Sequence, residues 1–475
     1  MKVLFVSAEV VPFSKTGGLA DVAYALPKAL RDKGIDVRIM SAKNFHSKNI
    51  DYYEDHIVSK DVEVGWRKQY LGITYVEYDK MPFYFIDNEY YFKRDNLYGY
   101  EDDGERYSYF CRAILEAISV IDFKPDIIHI NDWHTAMVPL LMKKHYSHID
   151  KFKNIKIVYT IHNLKYQGVF NSEVLHELLN LDDEEFNSGS IEFFGNVNFM
   201  KSAINFADAV TTVSKSYAEE IKNSYYGENL QDVIRENDYK LFGITNGIDY
   251  KIYDPNIDKN IRKNYSYKNS SYKSENKQYL QELVALPKHK TIPLIAMITR
   301  LTDQKGLDLL ECIMEELLTL DIQMIILGTG DSKYENILKE FAYRFPDKLA
   351  VKIEFNESFS HQIYAGADMF LMPSKFEPCG LSQMISQRYG TVPIVRETGG
   401  LKDTVAPYNK FTKEGTGFSF ESYNAHEMLF SIKRAIEIYS NKKEWRDLVK
   451  IIMQIDSSWK KSASIYASVY EDLVK

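Results

Sequence analysis

Cysteine is scarce in this sequence, and its scarcity bears on the compartment in which the protein works. Only three cysteines occur in 475 residues, Cys111, Cys312 and Cys379, and they lie far apart. This spacing argues against a disulfide framework and fits a reducing cytosol. Cys111 and Cys312 fall within apolar helical patterns, so we expect both to be buried thiols. The composition therefore predicts a cytoplasmic protein.

Long apolar runs and an excess of basic residues are also missing. No run approaches membrane-spanning length, and Met1 and Lys2 lead into a strand pattern without the regions of a signal peptide. The formal net charge is −8, so no general basic surface for nucleic acid is expected. We expect neither a membrane nor nucleic acid as a partner, and an anionic small substrate would require local positive charge.

The order of apolar patterns predicts an α/β protein. A chain of 475 residues is too long for one core and suggests two or three domains. Apolar strand patterns alternate with helical patterns up to about Ile244, and a second such series begins at Pro293. This alternation predicts two doubly wound, Rossmann-like domains whose parallel sheets face a cleft. Between the series, Asn246-Gly247 indicates a hinge, and the polar residues 251–277 are interpreted as a poorly structured surface stretch.

An anion site is predicted directly after the first strand. Lys15, Gly17 and Gly18 follow the apolar run from Val3 to Ala8 and precede a helical pattern. Glycines allow a ligand to approach the backbone, and the first N–H groups of a helix lack intrahelical partners. The alternative to an anion site is an ordinary strand-to-helix turn without a ligand. The motif matches neither a P-loop nor a dinucleotide-binding fingerprint, so this alternative stays open.

Polar residues follow two further strands of the first half. Asn131-Asp132-Trp133-His134 follows one strand, and His162-Asn163-Leu164-Lys165 follows another. Since ligands gather at the carboxyl ends of parallel strands, we expect these groups near the Lys15 loop. An isolated histidine there would more simply be a helix cap or a satisfied buried residue. A metal site from His129, Asp132, His134 and His162 is conceivable, although no recognised ligand spacing supports it.

Three charged or glycine-rich stretches follow strands of the second half. The first carries Arg300 and Lys305, the second runs from Pro373 to Ser382 with Glu377, and the third is Thr398-Gly399-Gly400-Leu401. Arginine can grip a phosphate with two parallel hydrogen bonds, and lysine supplies a point charge. Together the two cations could neutralise a departing diphosphate.

Taken together, five motifs resemble those of bacterial glycogen synthase and plant starch synthase. They are Lys15-Thr16-Gly17-Gly18-Leu19-Ala20-Asp21, Asn131-Asp132-Trp133-His134, Asn246-Gly247-Ile248-Asp249, Arg300-Leu301-Thr302-Asp303-Gln304-Lys305-Gly306 and Ser374-Lys375-Phe376-Glu377-Pro378-Cys379-Gly380-Leu381. The resemblance implies a retaining GT-B glycosyltransferase that moves glucose from ADP-glucose to the non-reducing end of an α-1,4-glucan, in glycogen biosynthesis, with no metal or other cofactor. It also implies a first domain of residues 1–246 completed by a C-terminal helix at 457–475, and a second domain of residues 247–456.

The same resemblance suggests a role for each site residue. The catalytic residues would be Glu377, Arg300, Lys305 and His162. Those binding ADP-glucose would be Lys15, Gly17, Gly18, Arg300, Lys305, Phe355, Cys379, Gly380, Leu381 and Ser382. Those around the sugar or the acceptor would be Asp21, Asp132, Trp133, Asn163 and Asn246. Phe355 would stack on adenine, where the family often has tyrosine, and Cys379 would form a pocket wall. Ile385 stands where many other retaining enzymes of this fold carry a second glutamate, which counts against a sucrose- or lipid-directed relative.

Two alternatives remain open at this point. One is a phosphorylase or a UDP-glucose enzyme of the same fold, although no lysine falls in a recognised pyridoxal phosphate motif. The other is a catalytically silent glucan-binding protein, which the intact set of charged residues disfavours. For an enzyme, a front-face attack is expected, because the sequence identifies no convincing carboxylate for a covalent route. Oligomeric state does not follow from the sequence.

Overall fold

The computed structural model describes residues 1–44 and 53–475, and it divides into two compact units. Unit 1 comprises Met1–Asn246 together with Trp459–Lys475, and unit 2 comprises Gly247–Ser458. Within the described residues, none of the helices is both long enough and apolar enough to cross a membrane. The predicted pair of doubly wound α/β domains is confirmed.

Unit 1 is built on a mixed sheet with the strand order β12-β11-β7-β6-β1-β2-β5-β4-β3 in the described part of the chain, and β8, β10 and β9 form a small separate sheet. The strands are β1 (Lys2–Ser7), β2 (Asp36–Ala42), β3 (Tyr53–Val64), β4 (Arg67–Tyr78), β5 (Met81–Asp87), β6 (Ile127–Asn131), β7 (Lys156–Ile161), β8 (Val169–Asn171), β9 (Glu192–Phe193), β10 (Asn196–Asn198), β11 (Ala209–Thr212) and β12 (Leu241–Gly243). The helices are α1 (Gly18–Arg31), α2 (Glu89–Phe92), α3 (Asp103–Val120), α4 (Val138–Leu141), α5 (Val174–Glu177), α6 (Glu184–Asn187), α7 (Phe199–Phe206), α8 (Lys215–Glu220) and α9 (Gln231–Glu236).

The central strands of unit 1 form because their residues are apolar on both faces of the sheet. β1 and β6 are buried almost throughout, as expected of parallel strands covered by helices on both sides. The edge is different, because β3 pairs antiparallel with β4, and β4 pairs antiparallel with β5. The sequence analysis did not predict this hairpin.

Unit 2 carries a parallel sheet in the order β15-β14-β13-β16-β17-β18. The strands are β13 (Leu294–Ile298), β14 (Gln323–Leu327), β15 (Leu349–Lys352), β16 (Met369–Met372), β17 (Val392–Arg396) and β18 (Phe418–Phe420). The helices are α10 (Lys273–Leu283), α11 (Leu307–Thr319), α12 (Ser332–Arg344), α13 (Glu357–Gly366), α14 (Ser382–Arg388), α15 (Gly399–Thr404), α16 (Ala425–Ser440) and α17 (Lys442–Ile452).

Each sheet has a point at which the strand order reverses. In unit 1, β2 pairs with one side of β1, and β6 later pairs with the other side. In unit 2, β14 pairs with one side of β13, and β16 later pairs with the other side. Loops that leave neighbouring strands at such a switch point diverge and leave a crevice for ligand. The fold therefore directs attention to the loops that follow β1, β6, β13 and β16.

The last helix, α18 (Trp459–Val474), belongs to unit 1. Its buried face, which includes Trp459 and Tyr466, joins the core cluster that contains β1 and α1 side chains. The hydroxyl of Tyr470 lies 2.5 Å from Nδ1 of the buried His129. A long-range polar contact thus reinforces the apolar docking of the helix.

Two expectations about local structure were wrong. Residues 251–277 are not poorly structured, because α10 begins at Lys273 and buries that side chain. The Lys273 ammonium donates to the carbonyls of Tyr364, Ala365 and Tyr389, which compensates for its burial. Cys312 is exposed, since it lies on the outer side of α11, whereas Cys111 and Cys379 are buried.

Candidate active site

The loop between β1 and α1 has the form of an open anion site. Gly17 caps α1 in an extended conformation, and no side chain caps the helix there. Among residues 1–44 and 53–475, a β-carbon at Gly17 would meet nothing within 4 Å. Lys15 and Asp21 form an ion pair at 2.8 Å at the same helix end. The first N–H groups of α1, from Gly18 onward, and the helix dipole therefore favour an anion at this loop.

A buried glutamate that the sequence analysis missed holds this loop in shape. Oε2 of Glu9 accepts hydrogen bonds from the backbone N–H and the hydroxyl of Thr16, at 2.6 and 2.7 Å. Burial raises the pKa of Glu9, and the nearby Asp21 adds to this. The signal in the sequence is an acidic residue at the end of an otherwise apolar strand run, Ser7-Ala8-Glu9-Val10.

Asp132 lies after β6 in a strained backbone conformation. Its φ is +54°, a region that residues other than glycine rarely adopt. Its Oδ1 accepts a hydrogen bond of 2.8 Å from the backbone N–H of His162, so the ends of β6 and β7 are joined. Burial raises the pKa of Asp132 to about 7. A strained backbone and a strongly shifted pKa in one residue are typical of functional sites.

The protonation state of His162 follows from its partners. Nδ2 of Asn131 donates to the carbonyl of Val6, so Oδ1 of Asn131 faces Nε2 of His162 at 2.9 Å. Nε2 of His162 must therefore carry the hydrogen, and Nδ1 is an acceptor. Burial lowers the pKa of His162 to about 3, so the ring is neutral at physiological pH. A neutral ring of this tautomer can accept a hydrogen bond from a hydroxyl.

Trp133 and His134 form an aromatic layer beside Asp132. Their ring centroids are 4.1 Å apart, and the ring of Tyr98 lies 4.3 Å from that of His134. A β-carbon on Gly168 would lie 2.5 Å from the Trp133 ring, so only glycine allows this approach. The sequence analysis did not single out Gly168.

The buried polar atoms of unit 1 that have no hydrogen-bond partner among residues 1–44 and 53–475 include Nδ1 of His134, the hydroxyl of Tyr98 and Oδ1 of Asn246. A buried polar group without a partner is costly, so each of these atoms is a candidate for a functional contact. Asn163 differs, because its Oδ1 accepts a hydrogen bond from the N–H of Lys165 and shapes the local turn.

The alternative metal site at these positions has no support. His129 uses its two ring nitrogens for Tyr470 and for the hydroxyl of Thr160. Among the described residues, no group of three or more potential ligands could hold a metal ion.

A groove with a volume of about 540 Å³ adjoins Trp133 in unit 1. Both aromatic and polar side chains line it, which suits a ligand with apolar faces and hydroxyl edges. Its lining includes Tyr100, Asp103, Trp133, Tyr166, Gln167, Phe170, Phe193 and Glu228. Sequence reasoning missed most of these residues, because they come from separate short elements.

In unit 2, Glu377 and Lys305 form a largely buried ion pair. Oε2 of Glu377 lies 2.6 Å from Nζ of Lys305 and accepts a second hydrogen bond of 2.9 Å from the hydroxyl of Ser374. Lys305 lies in a short 3₁₀ turn after β13, and Glu377 lies in the loop after β16, so the pair bridges the switch point. Gly306 makes this approach possible, because a β-carbon there would lie 2.2 Å from the carbonyl oxygen of Pro373.

Arg300 and Phe355 differ from that pair, because both are exposed. The guanidinium of Arg300 has no hydrogen-bond or ion-pair partner in the part of the chain that the structure describes. Phe355 follows β15, and 81% of its surface is exposed. A free guanidinium and a free aromatic ring are available to bind a phosphate and a base, respectively.

The loop carrying Glu377 is braced from behind by Gly399 and Gly400. The N–H of Gly400 donates to the carbonyl of Glu377 at 3.1 Å. β-Carbons at Gly399 and Gly400 would lie 2.1 Å from the carbonyl oxygen of Glu377 and 2.0 Å from that of Cys379. Cys379 is buried in this contact. Gly380 follows with φ of +70°, Leu381 caps α14 without a side-chain hydrogen bond, and Ser382 begins the helix.

Comparison with known proteins places these features in a family. A model of the starch synthase catalytic domain matches residues 2–236, and a model of glycosyl transferases group 1 matches residues 281–450. The chain is 52% identical to a glycogen synthase of Clostridioides difficile strain 630 over the full length of both proteins. It is 53% identical to a glycogen synthase of Clostridium acetobutylicum, with 99% of each chain covered.

Solved structures of glycosyltransferases are also similar to this chain. The catalytic domain of starch synthase IV from Arabidopsis thaliana, bound to ADP and acarbose, matches with a TM-score of 0.93 and 33% identity, covering 99% of each chain. Sucrose-phosphate synthase from Thermosynechococcus elongatus matches with a TM-score of 0.63 and 16% identity, covering 99% of this chain and 98% of that one, which shows the fold alone.

Proposed function

Because the chain belongs to the glycogen synthase and starch synthase family of GT-B glycosyltransferases, we propose that it transfers glucose from ADP-glucose to the non-reducing end of an α-1,4-glucan. ADP is released and the anomeric configuration is retained. The enzyme class is a glucosyltransferase of glycogen biosynthesis. It rests on sequence identities of 51–53% to glycogen synthases over nearly the full length of the chains. The donor, the site of attachment and the stereochemistry are the proposal.

The observation that carries the proposal is the ion pair of Lys305 and Glu377 at the switch point of unit 2. Lys305 holds the Glu377 carboxylate in one orientation, and Ser374 fixes the same oxygen. A carboxylate fixed in this way can accept hydrogen bonds from the hydroxyls of a transferring glucose, while the lysine charge faces the diphosphate. Arg300 would grip that diphosphate with two parallel hydrogen bonds, and Phe355 would stack on the adenine.

Unit 1 would supply the acceptor side and a further phosphate contact. The loop with Lys15 and Gly17 presents free N–H groups of α1 to an anion. His162 would accept a hydrogen bond at Nδ1 from a sugar hydroxyl, and the unpartnered Oδ1 of Asn246 would accept another. The groove beside Trp133 would receive the glucan chain.

In this mechanism the departing ADP takes the proton of the attacking hydroxyl. The two cations, Arg300 and Lys305, stabilise the charge that develops on the diphosphate. Attack from the same face as the leaving group retains the configuration without a covalent intermediate. Oε2 of Glu377 is held by Lys305 and Ser374, so the carboxylate is oriented to bind the sugar by hydrogen bonds in this mechanism. Since two cations of the chain would balance the diphosphate, no metal ion or other cofactor is required.

The proposed compartment is the cytoplasm, which is supported by three free cysteines in the described residues. The catalytically silent alternative is not retained, because the chain matches glycogen synthases along its whole length. Whether the enzyme prefers ADP-glucose to UDP-glucose is decided by the experiment below.

The decisive experiment measures labelled glucose incorporated into glycogen from ADP-glucose and, separately, from UDP-glucose. We expect ADP-glucose to be the better donor and Arg300→Ala to lose on the order of 10²- to 10³-fold in rate, because a transition-state contact disappears. Glu377→Ala should lose at least as much. Arg446→Ala, which removes an exposed arginine on α17, is the matched control and should retain full activity. Equal turnover of the two donors, or an active Arg300→Ala variant, contradicts the proposed donor site.

A further inference from the structure

A second groove lies on unit 2, among residues that the proposed donor site does not use. The loop of residues 406–417 forms one wall, and α16 contributes the other side. The groove has a volume of about 540 Å³, within the range of about 300–1,000 Å³ that ligand pockets usually have. It is lined by Pro407, Tyr408, Asn409, Lys410, Phe411, Phe418, Phe430, Arg434, Glu437 and Ile438.

Two large aromatic side chains in this groove are open to solvent. Phe411 is 85% exposed and Phe430 is 64% exposed. Single exposed apolar residues are common on protein surfaces, but two phenylalanines lining one concave site present a shared apolar surface. We call this site the Phe411–Phe430 groove.

The wall that carries Phe411 is held in place by its own loop. Oδ1 of Asn409 accepts the backbone N–H of Phe411 at 2.9 Å and that of Thr412 at 3.2 Å. The backbone of Asn409 pairs with Glu414 and Lys413 across the loop, at 2.7 and 2.8 Å. A preformed aromatic surface of this kind loses little conformational freedom when a ligand binds.

Two of the three charged side chains that line the groove pair with each other. Lys410 and Glu437 pair at 3.4 Å, and Arg434 donates to the carbonyl of Tyr408 at 3.2 Å. Arg434 keeps its positive charge and is a hydrogen-bond donor at the groove. Hydrogen-bonding side chains and an amide next to two exposed aromatic rings match a neutral ligand with apolar faces and many hydroxyl groups. A sugar ring has this character, with C–H groups on its faces and hydroxyls at its edge.

We propose that the Phe411–Phe430 groove is a second binding site for a linear α-1,4-glucan chain, distinct from the site of transfer. This inference rests on the proposed function, because it takes the polymeric acceptor as the occupant. A glycogen particle carries many chain ends, so a chain bound in the groove raises the local concentration of other ends around the enzyme. The groove then favours the polymer over short oligosaccharides without changing the chemical step.

The test compares the wild-type enzyme with the double variant Phe411→Ala/Phe430→Ala. We expect the apparent KM for glycogen to rise on the order of tenfold, while kcat, the KM for ADP-glucose and the KM for maltotriose change less than about twofold. Retardation of the variant in a native gel that contains glycogen should fall in parallel. Phe411→Trp/Phe430→Trp should restore the KM for glycogen, because the indole ring retains the stacking surface.

Tyr343→Ala is the matched control, because Tyr343 is an 87% exposed aromatic residue on α12 of the same unit and lies outside the groove. It should behave as the wild type. An unchanged KM for glycogen together with unchanged gel retardation in the alanine double variant overturns the proposal. A second result also overturns it. If light scattering shows a lower molar mass for the alanine double variant while its glycogen binding is unchanged, the groove is a contact between copies of this chain. Gel retardation needs no turnover, so a wild type that fails to use ADP-glucose refutes the proposed function and leaves the groove test intact.

Discussion

The sequence Gly-Gly-Leu occurs twice at the start of a helix, and its glycines serve different purposes in the two units. In unit 1 a β-carbon at Gly17 would meet no atom of the described residues within 4 Å. In unit 2 β-carbons at Gly399 and Gly400 would collide with the carbonyls of the Glu377 loop. The same three letters thus leave space for a ligand in one place and allow close backbone packing in the other.

Three polar side chains of the two units also differ in how they are bound. In unit 1 the hydroxyl of Tyr98 and Oδ1 of Asn246 are buried and unpartnered, within the described chain. In unit 2 the Glu377 carboxylate is already bound by Lys305 and Ser374. The Glu377 carboxylate therefore has its geometry set beforehand, whereas the Tyr98 hydroxyl and Oδ1 of Asn246 do not.

The largest effect is expected from Gly400→Ala. The new methyl group would lie 2.0 Å from the carbonyl oxygen of Cys379, so the Glu377 loop must move. We expect a loss of about 3 kcal/mol or more in the free energy of unfolding, measured by urea denaturation, because backbone clashes are not relieved by rotating a side chain. Glucosyl transfer should fall with it. A variant of unchanged stability would show that the two loops are not tightly packed.

A smaller and different effect is expected from Gly17→Ala. The backbone there is extended and the space is open, so the free energy of unfolding should stay within about 0.5 kcal/mol of the wild type. The methyl group would instead occupy the space that a phosphate needs, so the KM for ADP-glucose should rise about tenfold, equivalent to about 1.4 kcal/mol. Steady-state kinetics and urea denaturation on one preparation separate the two effects. A destabilised protein with an unchanged KM would reverse the contrast between the two motifs.

The smallest effect concerns pH and the burial of Asp132. Its pKa is raised to about 7 in the folded protein, against 3.8 for the ordinary side chain. Between these values the unfolded chain loses the Asp132 proton and the folded chain keeps it, so the folded state is progressively less favoured as pH rises toward 7. His162 has the opposite effect. Its pKa is lowered from 6.5 to about 3, so its contribution to the stability of the folded state is lost as pH falls. Asp132→Asn removes only the first contribution.

We therefore expect the stability of Asp132→Asn, relative to the wild type, to increase by about 1 kcal/mol from pH 5 to pH 7 in urea denaturation. The figure is well below the full effect of the pKa shift, because the side chain is only partly shielded from solvent. A difference that stays constant over this range would mean that Asp132 ionises as it does in the unfolded chain.

Much of the fold could be predicted because the central strands are continuous apolar runs. Val3–Val6 and Ile127–Ile130 read as buried strands, and both lie at the centre of the sheet. The β3–β4 hairpin was missed because Asp55, Lys60 and Glu63 interrupt its apolar pattern at the exposed edge. Residues 251–277 were misjudged because polarity does not reveal burial when backbone carbonyls satisfy a lysine, as they do for Lys273.

For the candidate site, the sequence identified the loops better than the interactions within them. Strand direction predicted that Asp132 and His162 each follow a strand of the first sheet and lie near each other. In the structure the two strands are adjacent, and a hydrogen bond between these residues joins the strand ends. The role of Glu9 in holding Thr16 could not be predicted, because it depends on how a loop folds back on itself. The same holds for the unpartnered Tyr98 hydroxyl, whose lack of a partner appears only once packing is known.

The return of α18 to unit 1 has a consequence for synthesis on the ribosome. The polypeptide leaves unit 1 at Asn246 and supplies its final helix only from Trp459 onward. Until those last residues emerge, the nascent first unit lacks the Tyr470 hydroxyl for His129 and keeps an apolar face bare. A premature stop codon near the end of the message therefore damages the half of the protein that was translated first.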